Sequence, residues 1–373
     1  MRVYSAFNGY SGANVALDRA DKKVTTYLAS ETDKWCNAVT RYNYPKTVFI
    51  GDITKVNPNS IKDIDLMIGG SPCQDLSFSG KGKGLVEGKR SNLFFTWLDH
   101  LKTIKPKYFL LENVKMKKEY ENMITMALGV APMMIPSSLV SGQKRDRLYW
   151  FNWHCDLPKD KKIFLQDIVE DGAVDRDKSF CIDANYWKGG NLKSYFVKNR
   201  RQLVFDDHRC IQVGVADIKG HDILKRVYAR EGKAPTLTTM QGGHREPKVV
   251  CGQMVGRKIN PKTGKRDDYN PNIKTEQRLE LKGDGKTGAL TTVQKDNLVV
   301  TDKYWRALTP RECERLQTLA DDYTMFGDFD ESRYPSDDDY DIKEISKTQR
   351  YKMLGNGFTV DVIAHILRSM PNG

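Results

Sequence analysis

IDLMIGGSPCQDLSFSG, residues 64–80, decides how this sequence folds. The apolar run IDLMI (64–68) ends in a loop of glycine, serine and proline that carries one cysteine, Cys73. A run that is apolar at successive positions is typical of a strand buried on both faces of a parallel sheet. In such sheets ligands bind at the carboxyl ends of the strands. The loop therefore either presents Cys73 at a functional edge or holds it as a small filler residue.

Outward from this strand, the first 150 residues alternate strand-like and helix-like segments. Candidate helices lie near 13–20, 33–42, 91–104 and 117–128, and candidate strands are 2–7, 24–30, 47–51, 65–70, 108–114, 130–135 and 147–153. This alternation predicts an α/β fold, with a parallel sheet covered by helices on both faces.

Helical periodicity returns near the end of the chain, at 308–320. Thr309, Pro310 and Glu312 there are typical of an N-cap, a first-turn proline and a capping-box acid. A further helix is predicted at 346–354, followed by a turn at 355–357 and an apolar helix at 359–370.

The middle of the chain has a different composition. Residues 154–303 contain 29 Lys and Arg against 21 Asp and Glu, and the strand-like pieces are short: 210–216, 234–240, 247–250, 288–294 and 297–300. Stretches 232–250 and 285–300 echo each other, as a structural hairpin repeat or as a duplicated recognition element. We expect three parts: a catalytic domain at 1–153, an inserted region at 154–303, and a final part at 304–373 that completes the first.

Composition excludes several classes of protein. The chain has 373 residues, a net charge of +12 and a pI near 9.2, which invites a polyanionic partner but equally suits a solvated surface. Its seven cysteines are dispersed and include no C-x-x-C pair, so neither a disulfide scaffold nor a zinc site is expected. We find no apolar run long enough for a membrane span and no secretion signal, and we expect a reducing compartment.

Three neighbouring strand ends suggest a nucleoside ligand. AFNGYSG (6–12) follows the first predicted strand, Glu31 follows the second, and Asp52 follows the third. Glycines let a ligand approach the backbone closely, and carboxylates accept hydrogen bonds from ribose hydroxyls and an adenine amino group. The glycine pattern is not G-x-G-x-x-G, so no dinucleotide is specifically indicated. Each carboxylate taken singly is equally well explained as a helix cap.

The next strand ends carry groups suited to catalysis. Cys73 lies in a polar loop, where a thiolate favoured by cations can act as a nucleophile. Glu112 and Asn113 end the next buried strand, where a carboxylic acid can stay protonated and donate a hydrogen bond. Arg145 and Arg147 are two residues apart at the start of a strand, so they share one face. They suit a clamp for an anion or a solvated sheet edge.

In this order and spacing, Pro72-Cys73-Gln74, Glu112-Asn113-Val114 and Gln143-x-Arg145-x-Arg147 resemble the DNA cytosine-5 methyltransferases. The glycine turn, LTPRECERLQ (308–317) and LGNGFTVDVI (354–363) complete the family's motif set. The resemblance spans 1–153 and 304–373 and implies a Rossmann-like fold that uses S-adenosylmethionine, with the middle as a smaller, mostly β or irregular target-recognition domain. The implied reaction methylates C5 of cytosine in double-stranded DNA at a specific short sequence.

The resemblance also implies roles for individual residues. Cys73 would add to C6 of cytosine, Glu112 would hydrogen-bond N3 and the exocyclic amine, and Asn113 would hold the loop. Arg145 and, secondarily, Arg147 would contact the substrate. Because a stacked base cannot reach a thiolate, the target would be flipped out of the duplex. The DNA contacts would come from the glycine-rich, basic loop after Cys73: Gln74, Ser77, Lys81, Lys83 and Arg90.

S-adenosylmethionine would lie in a pocket that the matching motifs form, and no metal is implied. Its expected residues are Phe7, Asn8, Gly9, Tyr10, Ser11, Gly12, Glu31, Thr32, Asp52, Ile53, Pro72, Leu93 and Asn356. The sequence departs from the usual pattern at Ser5 and Ser11, at Thr32, where an aromatic residue is common, and at Gly357-Phe358, where serine or alanine and then valine are usual.

The competing interpretations are an RNA cytosine-5 methyltransferase and a catalytically inactive DNA-binding paralogue. Residues VKMKKEY (114–120) do not match the signature of the branch that acts on transfer RNA, and an inactive paralogue would have lost Cys73 or Glu112. A nicotinamide-dependent oxidoreductase would leave the Cys, Glu and Arg set unexplained. We expect a bacterial or phage enzyme, acting as a monomer on DNA in the cytoplasm of the cell or infected host, with or without a partner restriction nuclease.

Overall fold

The computed structural model describes most of the chain outside the middle region and the loop after Ser71. The described residues are 1–71, 92–189, 195, 198, 200–205, 212–215, 226–228, 248–249, 251–258, 276–282, 297–299, 305–331 and 341–371. The contacts divide the chain into two compact units. One contains residues 1–170, 174–203 and 307–373, and the other contains 171–173 and 204–306.

A seven-stranded sheet forms the centre of the first unit. Its strands are β1 (Arg2–Ala6), β2 (Thr26–Ser30), β3 (Val48–Phe49), β4 (Leu66–Gly69), β5 (Tyr108–Val114), β6 (Met133–Pro136) and β7 (Asp146–Phe151). The order across the sheet is β3-β2-β1-β4-β5-β7-β6, and β1 to β5 pair in parallel. This confirms the expected Rossmann-like methyltransferase fold.

The sheet is mostly parallel, as expected, and one strand is the exception. β7 runs antiparallel to both β5 and β6. The connection between β6 and β7 contains only a short 3₁₀ turn at Ser137–Leu139, whereas a parallel pair needs a longer crossover. As a result, the start of β7 lies at the same edge of the sheet as the carboxyl end of β5.

Seven α-helices lie within the described part of the chain. They are α1 (Gly12–Arg19), α2 (Lys34–Asn43), α3 (Asn92–Ile104), α4 (Lys118–Leu128), α5 (Pro310–Leu316), α6 (Lys347–Asn356) and α7 (Val360–Arg368). α5 has the predicted capping box, since Thr309 accepts from the backbone of Glu312 and the Glu312 side chain accepts in return. The predicted turn at 355–357 is partly wrong, because α6 continues through Asn356.

Apolar residues on one face of the sheet hold these elements together. Met67 of β4, Leu111 of β5 and Trp150 of β7 are completely buried, and they share a hydrophobic cluster with Trp97 of α3. Burial of such large side chains contributes on the order of 2–3 kcal/mol each to folding. The carboxyl ends of β1, β2, β4 and β5 are thereby fixed at one rim of the unit.

The second unit contains short strands. Those described are β8 (Leu203–Phe205), β9 (Gln212–Val215), β10 (Arg226–Tyr228), β11 (Lys248–Val249), β12 (Cys251–Arg257), β13 (Glu276–Lys282), β14 (Asn297–Val299) and β15 (Trp305–Ala307). The first residue of β8 and the last residue of β15 belong to the first unit. β12 pairs antiparallel with β13 and with β14. The division at 154 and 303 stays a prediction, and most of the repeated stretches 232–250 and 285–300 lie outside the described residues.

Two further strands, β16 (Phe326–Asp328) and β17 (Ile342–Glu344), form a hairpin-like pair in the first unit. Within the described residues, no helix is long and apolar enough to cross a membrane.

Candidate active site

A cavity of about 540 Å³ opens at the carboxyl edge of the sheet in the first unit. The loops after β1, β2, β3 and β4, the carboxyl end of β5, the start of β7, and the end of α6 all line it. Of the predicted site residues, the cavity wall includes Phe7, Asn8, Gly9, Tyr10, Gly12, Glu31, Thr32, Asp52, Ile53, Leu93, Glu112, Asn113, Arg145, Arg147 and Asn356. Residues far apart in sequence therefore meet around one space.

The loop after β1 has an unusual backbone. Phe7, Gly9 and Ser11 adopt φ values of 57°, 55° and 66°, in the left-handed region that side chains disfavour. Such strain is typical of functional loops. The Gly9 N–H donates to the Glu31 carboxylate at 2.9 Å, which ties the loop to the end of β2.

Carboxylates occupy the ends of β2 and β3, as the sequence predicted. Glu31 accepts hydrogen bonds from the backbone N–H groups of Thr32 and Asp33, in addition to that of Gly9. Asp52 accepts from the N–H and hydroxyl of Thr54 at 2.9 and 2.8 Å, and these bonds lower the pKa of its carboxyl group. The two carboxylates are held in place and face the cavity with negative charge.

An ion pair forms the opposite wall. The Nε of Arg147 lies 3.1 Å from Oε1 of Glu112, and both side chains are about 85% buried (15% and 14% exposed). In the register of the two strands Glu112 is opposite Tyr149, so Arg147, two residues before Tyr149, lies on the same face. The contact with Arg147 is electrostatic, since Oε1 of Glu112 makes no hydrogen bond of ordinary geometry among the described residues. The buried carboxylate therefore keeps the capacity to accept a hydrogen bond from a ligand.

The strand that leads to Cys73 is tied to the same wall. The Asn113 amide donates to Oγ of Ser71 at 3.1 Å. A Cβ at Gly70 would lie 3.2 Å from Oε2 of Glu112, so the absence of a side chain there lets the carboxylate approach the backbone. Residues 72–91 lie outside the described part of the chain. They include Pro72, Cys73, Gln74, Ser77, Lys81, Lys83 and Arg90, whose roles stay predictions.

Arg145 is buried, with 4% of its surface exposed, and it points at backbone rather than into open space. Its Nη2 donates to the Gly357 carbonyl at 2.6 Å, and its Nη1 donates to Ile182 at 3.4 Å. The guanidinium therefore fastens the start of β7 to the turn after α6. Of the two arginines, Arg147 is the one placed against Glu112.

The turn after α6 closes the cavity from the other end of the sequence. The Tyr10 hydroxyl donates to the Phe358 carbonyl at 2.7 Å, and Gln317 donates to the Gly357 carbonyl at 3.1 Å. Burial raises the pKa of Tyr10, so its hydroxyl stays protonated as a donor. The first loop and the last turn are joined directly.

Cys181 belongs to the predicted middle region of the sequence, and no motif marked it as a site residue, yet it lies beside both arginines. Its Sγ lies 3.3 Å from Nη1 of Arg145 and 3.9 Å from Nη2 of Arg147. Burial raises the pKa of this thiol, but the two guanidinium charges outweigh burial and lower the pKa below its ordinary value. Nothing in the sequence around Cys181 signals this position, because the bridge between Gln143 and Ser179 that brings it here is a long-range contact.

A second missed feature is an ion pair at the cavity wall. Lys352 of α6 donates to Asp33 at 2.6 Å, beside exposed Thr32. Ser11 is an exception among the predicted cofactor residues, because it is fully buried, accepts from the Asn14 amide and is not part of the cavity wall. Asn8 reaches the wall, although its amide is occupied by Thr40 and Tyr27.

Comparison with known proteins adds a family to this geometry. A family model described as C-5 cytosine-specific DNA methylase matches residues 1–127 and 141–372. The chain is 26% identical to an orphan methyltransferase, M.Rho11sI, of Bacillus phage rho11s, covering 99% of this chain and 97% of the relative. It is 25% identical to the type II methyltransferase M.HhaI of Haemophilus parahaemolyticus, covering 98% and 93%.

Solved structures agree at the level of the fold. The Entamoeba histolytica methyltransferase EhMeth superposes with a TM-score of 0.55 at 13% identity, covering 99% of this chain and 97% of its own. A Spodoptera frugiperda DNMT2 mutant gives a TM-score of 0.52 at 15% identity, covering 99% and 98%.

Proposed function

This chain belongs to the C-5 cytosine-specific DNA methylase family and is a DNA cytosine methyltransferase, and we propose that it methylates cytosine in double-stranded DNA through a covalent adduct on Cys73. S-adenosylmethionine would be the methyl donor. The observation that carries the proposal is the buried Glu112–Arg147 pair, whose carboxylate packs against Gly70 at the end of the strand that leads to Cys73.

The chemistry explains why a thiol is needed. C5 of cytosine is a weak nucleophile, and addition of the Cys73 thiolate across the C5–C6 double bond makes C5 enamine-like. C5 would then take the methyl group from the donor, which would leave as S-adenosylhomocysteine. C5 would lose its proton to water, and the electrons of that bond would re-form the C5–C6 double bond as the S–C6 bond breaks and releases the thiolate. Cys73 follows Ser71 by two residues, and Ser71 is held by Asn113, so Asn113 would position the nucleophile loop.

Glu112 would activate the base for this addition. As electrons move from C6 towards the ring nitrogen, N3 becomes basic, and a carboxyl group that hydrogen-bonds N3 and the exocyclic amine stabilises that change. The Glu112 carboxylate lies in the cavity wall, is mostly buried and is oriented by Arg147, which suits it to such a contact.

The two arginines would have different tasks. Arg147 lies against Glu112 and would fix the orientation of its carboxylate and contact the substrate. Arg145 donates to backbone carbonyls at the turn after α6, so its contribution would be to hold the wall. This assignment reverses the emphasis that the sequence gave to the pair.

The residues of the cavity fit the proposed methyl donor. Glu31 and Asp52 would accept hydrogen bonds from the ribose and the adenine, and the left-handed backbone at Gly9 leaves open space, since no atom lies within 4 Å of where its Cβ would be. When bound there, S-adenosylmethionine supplies an electrophilic methyl group. The carboxylates and the loop would bind and orient it, while Glu112 and Arg147 would organise the base.

DNA contacts are proposed for parts of the chain that carry excess positive charge. Gln74 and the basic loop at 77–90 would fill the gap left by a flipped base and contact phosphates. Residues 154–303 would read the target sequence. Relatives named as orphan phage methyltransferases support a stand-alone modification enzyme.

The proposal is tested by offering radiolabelled S-adenosylmethionine with double-stranded DNA or with RNA, followed by sequencing of modified cytosines at base resolution. We expect 5-methylcytosine in DNA at one short sequence. Absence of transfer to any DNA, or transfer to RNA alone, would overturn the proposed substrate.

The nucleophile is tested separately with DNA that carries 5-fluorocytosine, in which fluorine replaces the C5 proton and cannot leave as a cation, so the adduct formed by methyl transfer persists. The wild type should form an adduct that survives denaturation, and Cys73→Ser should not. Cys155→Ser is the matched control, because Cys155 is a buried thiol outside the cavity wall. An adduct of equal yield with Cys73→Ser would refute the assignment.

A further inference from the structure

The aromatic ring of Tyr10 packs between the first loop and the last turn. A Cβ at Gly12 would lie 2.8 Å from Cε2 of Tyr10, and a Cβ at Gly357 would lie 2.2 Å from Cε1 of the same ring. Both glycines line the cavity, as does Tyr10 itself. The ring therefore packs directly against two backbone segments that are separated by 345 residues of sequence, counted between these glycines.

Tyr10 is held on every side. Its hydroxyl donates to Phe358 at 2.7 Å, its own carbonyl accepts from the Tyr323 hydroxyl at 3.0 Å, and the rings of Tyr10 and Tyr323 meet edge to face at 6.1 Å. Only 2% of the residue is exposed. A ring fixed in this way is a rigid wall rather than an adaptable one.

The ring of Tyr10 explains why residue 357 is a glycine. Gly357 has φ −77° and ψ 175°, an extended conformation that any residue adopts, so its backbone alone does not require glycine. The requirement comes from Tyr10, since any Cβ at 357 would overlap the aromatic carbon. Tyr10 and Gly357 are thus a complementary pair.

The position of the pair in the sheet indicates which part of a ligand it meets. Glu31 and Asp52, the proposed nucleoside contacts, follow β2 and β3, to one side of β1. Gly357 is on the other side, fastened to the start of β7 by Arg145. A molecule whose nucleoside binds at Glu31 and Asp52 would extend its other end towards Tyr10.

We propose that Tyr10, with Gly357 as its partner, is a specificity-determining residue that closes the amino-acid end of the cofactor cavity. The inference rests on the proposed use of S-adenosylmethionine. The ring and its bond to Phe358 hold the first loop and the last turn at a fixed separation, which selects ligands whose amino-acid portion fits between them.

Two probes separate this role from general stability. S-adenosylhomocysteine carries the amino-acid portion, and 5′-methylthioadenosine lacks it. Binding of both is measured by titration calorimetry on the full chain for the wild type and Tyr10→Phe, with Tyr44→Phe as the matched control. Tyr44 also donates its hydroxyl, at 2.7 Å to Asp18, but lies outside the cavity wall.

Loss of the hydroxyl bond should weaken S-adenosylhomocysteine binding by about fivefold in Tyr10→Phe and leave 5′-methylthioadenosine binding within about twofold of the wild type. Tyr44→Phe should change neither. Equal weakening of both probes, or no weakening of either by Tyr10→Phe, would overturn the inference. A wild type that binds neither probe would instead refute the proposed cofactor.

A double-mutant cycle tests the complementary pair. Gly357→Ala should weaken S-adenosylhomocysteine binding at least about tenfold in the wild-type background, and in Tyr10→Leu the same substitution should cost about twofold or less. Thermal melting of each variant confirms that it is folded. Additive effects in folded variants would show that the ring does not dictate the residue at 357.

Discussion

The two sides of the cavity are formed by different kinds of chemical group. Backbone shapes the β1 side, where Phe7, Gly9 and Ser11 have positive φ and main-chain N–H groups bind Glu31. Charged side chains form the β5–β7 side, where Glu112 meets Arg147. The first side is suited to bind a ligand by shape, and the second is suited to stabilise charge that changes during a reaction. Substitutions on the two sides should therefore affect different measured quantities.

The largest effect should come from Glu112→Gln. The amide keeps the size of the carboxylate but removes its charge and its ability to share a proton with N3 of cytosine. We expect kcat to fall by about 10²–10⁴-fold, with little change in binding of S-adenosylhomocysteine. Glu119→Gln, an exposed position on the neighbouring helix α4, is the control. Single-turnover methyl transfer measures the effect, and undiminished turnover would remove Glu112 from the mechanism.

Substitutions of Arg147 should have the second-largest effect on kcat. They distinguish the contribution of its positive charge from that of its guanidinium geometry. Arg147→Met leaves the Glu112 carboxylate buried without its counter-ion, and we expect kcat to fall by about 10²-fold. Arg147→Lys keeps the charge but not the fork of the guanidinium, so a loss of about tenfold should remain. Equal rates for the lysine variant and the wild type would show that any cation suffices at this position.

The β5–β7 side of the cavity, which charged side chains form, was the easier one to predict from sequence. Glu112 and Arg147 lie at strand ends, and a strand's alternation fixes which face each side chain takes. The short buried strands and the capped start of α5 were likewise apparent from local pattern. These features depend on neighbours in sequence, or on the rule that parallel strands end at one edge.

The β1 side of the cavity depends on long-range contacts that no local sequence pattern reveals. The conformation of the first loop is fixed by Phe358 and Tyr323, more than 300 residues further along the chain, as the two hydrogen bonds show. The antiparallel direction of β7 and the place of Cys181 beside Arg145 are long-range properties of the same kind. For this reason Gly357 was recognised as a departure from the family pattern, without the ring that requires it.

Two glycines on the β1 side allow the effect of backbone strain on ligand binding to be measured separately from the effect of steric overlap. Gly9 has φ 55° and nothing near its Cβ position, whereas Gly12 would place a Cβ 2.8 Å from Tyr10 and 3.1 Å from Phe358. Gly9→Ala adds roughly 1 kcal/mol of backbone strain and should weaken S-adenosylhomocysteine binding about fivefold. Gly12→Ala must displace two packed rings and should weaken it more than about tenfold. Calorimetry on both variants gives the comparison, and an equal loss would show that local strain dominates this side.

The smallest effect should come from substitution of Cys181, whose sulfur lies beside Arg145 and Arg147 on the β5–β7 side of the cavity. Its sulfur accepts from both guanidinium groups, and it contacts Nη2 of Arg147 while Nε of that residue faces Glu112. Removing it in Cys181→Ala should lower kcat about threefold, because a hydrogen bond of this kind contributes roughly 0.5–1 kcal/mol. Cys181→Ser keeps an acceptor and should recover most of the rate. Binding of S-adenosylhomocysteine should be unchanged in both, since the thiol lies outside the cavity wall. If Cys181→Ala instead weakened ligand binding without slowing turnover, the two sides would not be separable, because Arg145 joins this sulfur to the turn at Gly357 that closes the β1 side.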